Sequence, residues 1–432
     1  MLSGFLSAFR TPDLRKKLLL TLGILAVYRL GVAIPTPGVD YGAVQECSST
    51  TASNPGFEIL NLFAGGALLH LSIFALGIMP YITASIIVQL LRVLIPRFET
   101  LYREGQEGQA KLTQYTRYIT VGFAALQSAS YITMARTGAF FPGCPTPIIP
   151  DESWQTISLM VLTMTAGTVF VMWLGERITE RGVGNGMSLL IFTSIAAAFP
   201  SNMSTIWKSS NGPVNTLLIA ILLFAIIAVV VFVEQSQRRI PVQYAKRVVG
   251  RRTLGGSSTY IPLKINMAGV IPVIFASSLL TLPTVIAQFS GNDPADWVVW
   301  LKNNLATTSA PLHMLLYILL IVFFAYFYTA ITFNPDQVAD DMKKYGGFIP
   351  GIRPGKPTAD FLSFVLSRIT AAGSIYLALV ALAPMLAFVA MGVNTNIPFG
   401  GTSILILVGV GLDTVKRIQS QLEQRHYEGF LK

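Results

Sequence analysis

Apolar residues gather in ten runs, near residues 18–35, 71–91, 117–135, 154–174, 186–200, 214–233, 262–288, 312–333, 369–391 and 397–412. Most have the length of ~20 residues with which a helix crosses a bilayer. The runs at 186–200 and 397–412 are short, and charge placement around them supplies the support that length does not. One stretch departs from the pattern. Residues 56–92 read GFEILNLFAGGALLHLSIFALGIMPYITASIIVQLLR. The first piece, 57–70, is too short and too broken by Gly65 and Gly66 to span a membrane, whereas the second, 71–91, is long enough. A half-length apolar segment joined through glycines to a full span is either a re-entrant element or an interfacial helix. A re-entrant element is allowed at membrane depth only where protein or a water-filled cavity surrounds it. The pattern by itself leaves both readings open.

Composition then removes the water-soluble classes. Hydrophobic residues make up 52% of the 432, charged residues 12%, and the mean hydropathy is +0.59. That is more apolar side chain than one soluble core can hide, and it predicts a polytopic membrane protein. Arg10, Arg15, Lys16 and Lys17 precede the first run in the manner of a signal peptide. No small-residue cleavage site follows, and Ile34-Pro-Thr-Pro-Gly38 leads directly into a loop, so the run is expected to be an uncleaved first span. If the N-terminus is cytoplasmic, all but Arg29, Arg136, Lys208 and Lys302 of the 31 lysines and arginines fall on the inner side. This asymmetry predicts that both termini are inside.

Two inner loops exceed what a helical hairpin needs. Residues 234–264 hold seven basic residues against one acid, with tyrosines and a Leu-Gly-Gly-Ser-Ser turn. Residues 334–368 surround Phe348-Ile-Pro-Gly-Ile-Arg-Pro-Gly355. Two or three lysines suffice to anchor a span, so loops of this size and charge suit docking to RNA or to an acidic protein surface. No catalytic grouping emerges. His70, His313 and His426 lie in different segments without a carboxylate or Cys at ligand spacing, which points to structural roles and no metal site. Away from their ends the runs contain no Asp or Glu and one basic residue, Arg29, expected to snorkel or to pair with a backbone carbonyl. Proton-coupled transporters keep ionisable residues at mid-membrane, so a pump is disfavoured. The run Gly182-Val-Gly-Asn-Gly186 has no strand before it and reads as a turn entering a span rather than a phosphate loop. Cys47 and Cys144 are too few for a disulfide framework and wrongly spaced for a metal; they can form one bridge.

Five segments, NLFAGGALLHLSIFALGIMPYITASIIVQLL, WLGERITERGVGNGMSLLIF, YIPLKINMAGVIPVIFASSLL, FNPDQVADDMKKYGGFIPGIRPGKPTADF and PFGGTSILIL, closely resemble the SecY family, the central subunits of the general protein-translocation channel. The resemblance runs from the first span to the last, and the N-terminal run and Cys-bearing outer loops look like those of an actinobacterial member. It implies an all-α fold of ten spans in two pseudo-symmetric five-helix halves, 1–205 and 206–432, around an hourglass pore in the cytoplasmic membrane. Residues 57–70 match the family's plug helix, with Leu60, Phe63, Gly65, Gly66 and Leu69 as its residues, and 71–91 match the gate helix.

The same resemblance implies a pore ring of Ile82, Ile86, Met187, Ile191, Ile274 and Ile406. Met187 stands where isoleucine is more usual, which keeps the ring apolar but softer. An apolar constriction gates ions by dewetting. A lateral gate between 71–91 and the span beginning near Pro262 is implied, tuned by Asn266 and Gln127. Arg251, Arg252 and Arg353 match basic positions that dock the ribosome or the ATP-driven motor SecA. The smaller subunits SecE and SecG are the implied companions, with nascent or preprotein polypeptide as cargo and membrane lipids around the gate. No cofactor is expected. Cys47 and Cys144 both fall on the oxidising face, so a disulfide pinning the outer loops is expected. The function implied is a protein-conducting channel that exports unfolded polypeptides and releases apolar segments sideways. Two rivals lack support: a secondary transporter with inverted repeats would need a midplane ion or substrate site, and an intramembrane enzyme would need an acid, nucleophile or metal grouping.

Overall fold

The computed structural model describes residues 11–50, 61, 63–138, 147–207, 212–244, 247–249, 252–254, 258–288, 296–306, 310–390 and 401–430. Ten helices carry the ten apolar runs: α1 (Pro12–Ala33), α2 (Met79–Leu94), α3 (Gln106–Arg136), α4 (Trp154–Arg181), α5 (Gly186–Trp207), α6 (Gly212–Gln235), α7 (Ile271–Gln288), α8 (Pro311–Thr332), α9 (Lys356–Ala390) and α10 (Gly401–Phe430). Helices over Trp154–Arg181, Leu217–Gln235, Pro311–Lys344 and Lys356–Ala387 are each long and apolar enough to cross a membrane. Helix α2 qualifies together with Pro96–Arg103, which bends away from it by 102°. Phe224 and Phe232 on α6 are each 75% exposed, and Leu126 on α3 and Leu162 on α4 are 68% and 67% exposed. An exterior of this kind suits lipid, and the chain is a multi-pass, mainly helical membrane protein.

Helix packing falls into two groups. Within the first, α2 packs on α3, α3 on α4, α4 on α5, and α1 on α4 and α5; within the second, α7 packs on α8, α8 on α9, α9 on α10, and α6 on α9 and α10. Helix α5 meets α6 and α10 and so ties the groups together. The Gly182–Gly186 run is the expected turn: Gly184 takes a left-handed φ of 89°, and Asn185 Oδ1 accepts from the backbone N–H groups of Met187 and Ser188. It does more than turn. A Cβ at Gly186 would overlap the Gly175 carbonyl, and one at Gly175 would overlap Met187 Sδ. Paired glycines therefore let α4 and α5 touch backbone to backbone, a device common between membrane helices.

Two sequence expectations need correction. Residues 71–91 do not form one helix: 71–78 is a series of turns, and the helix starts at Met79. The cause is local and tertiary together. Leu71 and Gly77 have positive φ of 44° and 55°, and Ser72 forms a bridge to Pro35 that holds this piece extended across the end of α1. Similarly, the span expected from Pro262 begins at Ile271, because Pro262 belongs to a strand.

The fold is mainly helical as expected, and both long loops add small β structures to it. Strand β1 (Gln237–Tyr244) pairs antiparallel with β4 (Ser258–Lys264) from Gln237↔Lys264 to Gln243↔Ser258. Strand β5 (Gly347–Phe348), from the second long loop, takes the other edge of β1, and β2 (Arg247–Val249) pairs with β3 (Arg252–Leu254) at the hairpin's far end. Ile240, Val242 and Leu263 from the hairpin bury against Met342, Ile349, Leu362 and Val365, so the two loops share a small core of their own.

The contact between α4 and α5 yields a measurable consequence. Gly186→Val is expected to lower the stability of the purified complex by about 1–3 kcal/mol or more through overpacking against backbone, read as a fall in Tm. Gly122→Ala on α3, where a Cβ meets nothing within 4 Å, is expected to be neutral or slightly stabilising.

Candidate functional site

The centre of the molecule is built around the turns that precede α2. Gly65 and Gly66, with φ of 68° and 93°, reverse the chain. The backbone satisfies much of itself by short bonds, Gly66 N–H to Asn61 O, Ala67 N–H to Ala64 O, Leu71 N–H to Leu68 O and Ser72 N–H to Ala67 O. Asn61 Oδ1 accepts from Leu69 N–H at 3.2 Å, and Thr36 N–H and Ile73 N–H bond across to Leu71 O and Ile34 O. Among the plug residues named from sequence, Phe63, Gly65, Gly66 and Leu69 lie in this segment, while Leu60 lies outside the described residues, as does the rest of 57–60. The expected plug helix is seen only at Asn61 and Phe63; residues 64–71 are turns, because two consecutive left-handed glycines end any helix there.

The six positions expected to form the pore ring share one apolar cluster with residues of that segment. Ile191, Ile274 and Ile406 are buried, and Ile82, Ile86 and Met187 are partly buried, in one apolar cluster that also contains Phe63, Ala64, Ala67, Leu68 and Leu71. They come from α2 and α5 of one packing group and α7 and α10 of the other. The Met187 thioether lies against Gly175 of α4 and fills the room that glycine leaves.

Two polar contacts fix α1. Tyr28, 1% exposed, shares a hydrogen bond of 2.8 Å with Ser194 of α5, and Arg29 Nη1 donates to the Gly65 carbonyl at 3.0 Å. Of the two roles expected for Arg29, the structure has the bond to a backbone carbonyl.

The two amides expected at the lateral gate are not partners. Gln127 is half-buried on α3. Asn266, 4% exposed, donates to Gly269 O at 3.0 Å and to Glu234 Oε1 at 2.6 Å, both on its own side. Ile265 N–H bonds to Ser236 O, and Gly373 on α9 is so close to Ile265 O that a Cβ there would sit 2.6 Å away. The linker before α7 is thus clamped to the end of α6 and to α9. Glu234 escaped the sequence reading because it stands one residue past an apolar run, where it looked like the loop's lone acid; a single carboxylate at a span end was the available signal.

On the loop face, Arg353 is exposed in a turn whose backbone is pinned by Thr358 Oγ1, which donates to Arg353 O at 2.9 Å. The Arg239 guanidinium lies 4.8 Å from the centre of the Tyr260 ring across the hairpin. Arg252 is in β3, and Arg251 lies outside the described residues. On the opposite face, Cys47 is fully buried and disulfide-bonded, and Asp40 N–H bonds to Ile148 O, which draws the loop after α1 against the one before α4. Cys144 lies outside the described residues. Just beyond, Asp151 accepts from Thr156 Oγ1, Ser153 N–H and Ser153 Oγ, and these bonds hold its carboxyl below the usual range.

A SecY family model matches residues 72–415. The protein translocase subunit SecY of Streptomyces scabiei is 61% identical over 438 residues, covering all of both chains. A solved protein-conducting channel superposes with a TM-score of 0.62 at 18% identity, covering 93% of this chain and 91% of that one. Sec61 in a canine ribosome–channel complex from the endoplasmic reticulum gives a TM-score of 0.60 at 18% identity over the same shares.

The clamp before α7 can be measured directly. Glu234→Leu and Asn266→Leu, alone and combined, are expected to show a coupling of about 1 kcal/mol in a double-mutant cycle on the purified complex. The same cycle between Gln127 and Asn266 is expected to give none.

Proposed function

The chain belongs to the SecY family, and on that footing we propose that it conducts unfolded polypeptide outward through the pore that its ring residues close. The observation that carries this reading is the meeting of Ile82, Ile86, Met187, Ile191, Ile274 and Ile406, from four helices of two packing groups, on the glycine-turned segment 61–78. An apolar constriction of this kind excludes ions by dewetting while its side chains part around a chain. The segment, with 57–70 as its plug, closes the pore from the outer side. The ten helices are ten spans, in halves 1–205 and 206–432 that part like a clamshell. The packing of α1–α5 and of α6–α10 among themselves, joined through α5, supports this division.

Parting of α2 from α7 opens the channel toward lipid. A passing segment then partitions by transfer free energy: leucine or isoleucine contributes roughly −0.3 to −0.6 kcal/mol at mid-span, and Asp, Lys or Arg costs about +2.5 to +3.5, so one charge offsets several leucines. Gln127 and Asn266 tune this step from opposite walls, with Asn266 held by Glu234. The subunit itself catalyses no reaction. Driving force comes from SecA or from the ribosome, docked on the hairpin with Arg251 and Arg252 and on the turn bearing Arg353. SecE braces the clamshell and SecG accompanies it. The membrane is the bacterial cytoplasmic membrane, both termini are cytoplasmic, and the bond made by Cys47 is to Cys144, across the outer loops.

Two experiments test these assignments. Arg353→Glu is expected to reduce SecA-driven export in vesicles at least tenfold while the chain assembles at the parental level; unchanged export removes Arg353 from the docking surface. Peptide mapping is expected to show one mass joining the Cys47 and Cys144 peptides that reductant splits, and separate peptides without reductant contradict the pairing.

A further inference from the structure

Arg29 is the charged residue inside the apolar runs that channel function leaves without a task. A guanidinium at membrane depth is costly unless it is paired, and such a residue points to a functional site whose partner must be found. Its partner is the carbonyl of Gly65, the residue that turns segment 61–78 back toward α2. The fit is close on both sides: a Cβ at Gly65 would lie 3.0 Å from Arg29 Nη1 and 3.2 Å from Ser194 Cα. Gly65 is therefore held between α1 and α5. The neighbour of Arg29, Tyr28, fixes that gap through its bond to Ser194, and its ring stacks on Phe74 at 6.0 Å and 8°.

The base of the same segment is held by backbone bonds, Thr36 N–H to Leu71 O and Ile73 N–H to Ile34 O. Thr36 and Ser72 flank the Pro35–Ser72 bridge, both are at most 1% exposed, and their hydroxyls have no hydrogen-bond partner among the described residues. Backbone bonds thus hold the base of the segment, and a charged side chain from α1 holds its tip.

Resting on the reading of this segment as the plug, we propose that Arg29 is its latch: the guanidinium holds the Gly65 carbonyl in the closed channel and gives it up when the segment moves aside. A charge-assisted hydrogen bond is the strong kind, and it is one that a side chain supplies and a substitution can remove without touching the plug itself.

The test uses the complete translocase in sealed vesicles, with ion permeability read as the decay of an imposed potassium gradient. Arg29→Met is expected to raise the resting leak about tenfold, the factor that corresponds to losing about 1.4 kcal/mol. Arg29→Lys, which keeps the charge but reaches less far, is expected to leak less. Both are expected to speed export of a preprotein with a weakened signal sequence, a gain that a misfolded channel cannot produce. A chain lacking residues 61–68 serves as the reference. If that deletion leaks while both Arg29 variants stay as tight as the parent, the latch is wrong and the plug stands. If the deletion itself stays tight, the plug reading falls and the latch with it.

Discussion

A bilayer offers its interior no water, so every backbone N–H and C=O at that depth must find a partner within the protein. Segment 61–78 is where this chain comes closest to breaking that constraint, because it is apolar enough for the membrane yet not helical. Its survival explains much of the surrounding architecture. Short turns satisfy much of its backbone, the end of α1 supplies an extended edge through Ile34 and Thr36, and Asn61 caps Leu69. Helices from both packing groups then wall it in with Ile82, Ile86, Ile191, Ile274 and Ile406. On the proposed reading this irregular backbone is the gate: the ring excludes water, and the segment, with little helical bonding, is cheaper to displace than a helix of equal length.

The proposed parting of the halves also bears on where polar contacts fall. Helices α4 and α5 touch through Gly175 and Gly186, and a bidentate pair joins Arg117 on α3 to Glu176 on α4 at 2.8 Å for both bonds. Nothing comparable among the described residues bridges α2 to α7. The linker before α7 is instead bound to its own half by Glu234, Ser236 and Gly373. Among the described residues, these polar contacts lie within a packing group, an arrangement that fits two halves parting as proposed.

The ten apolar runs were legible because bilayer thickness imposes a length that composition alone reveals. The first break in that legibility, at 71–78, has a physical reason. Leu71 adopts a left-handed φ that its side chain disfavours, where Thr36 N–H bonds to Leu71 O and Ile73 N–H bonds to Ile34 O across the Pro35–Ser72 bridge, a pairing that no local pattern announces. The hairpin was missed for a related reason: β1 finds its edges in Ser258–Lys264 and Gly347–Phe348, far along the chain, so a basic loop looked formless. Ring and plug positions were legible only through resemblance, since Ile82 and Ile86 four apart describe any buried helix face. Asn266 was identified but its partner was not. Resemblance placed Asn266 and Gln127 at the gate without naming what either bonds, and the structure gives Asn266, 4% exposed, the carboxylate of Glu234.

The central claim is that polypeptide passes through the ring. It is tested most directly by placing one cysteine at Ile274, removing Cys47 and Cys144, and stalling a secretory polypeptide that carries a single cysteine at its middle. Disulfide capture at position 274, and not at a lipid-facing control such as Phe232, is the predicted result. Engagement of the substrate without capture at 274 would mean that the chain travels by another route, and would contradict the account.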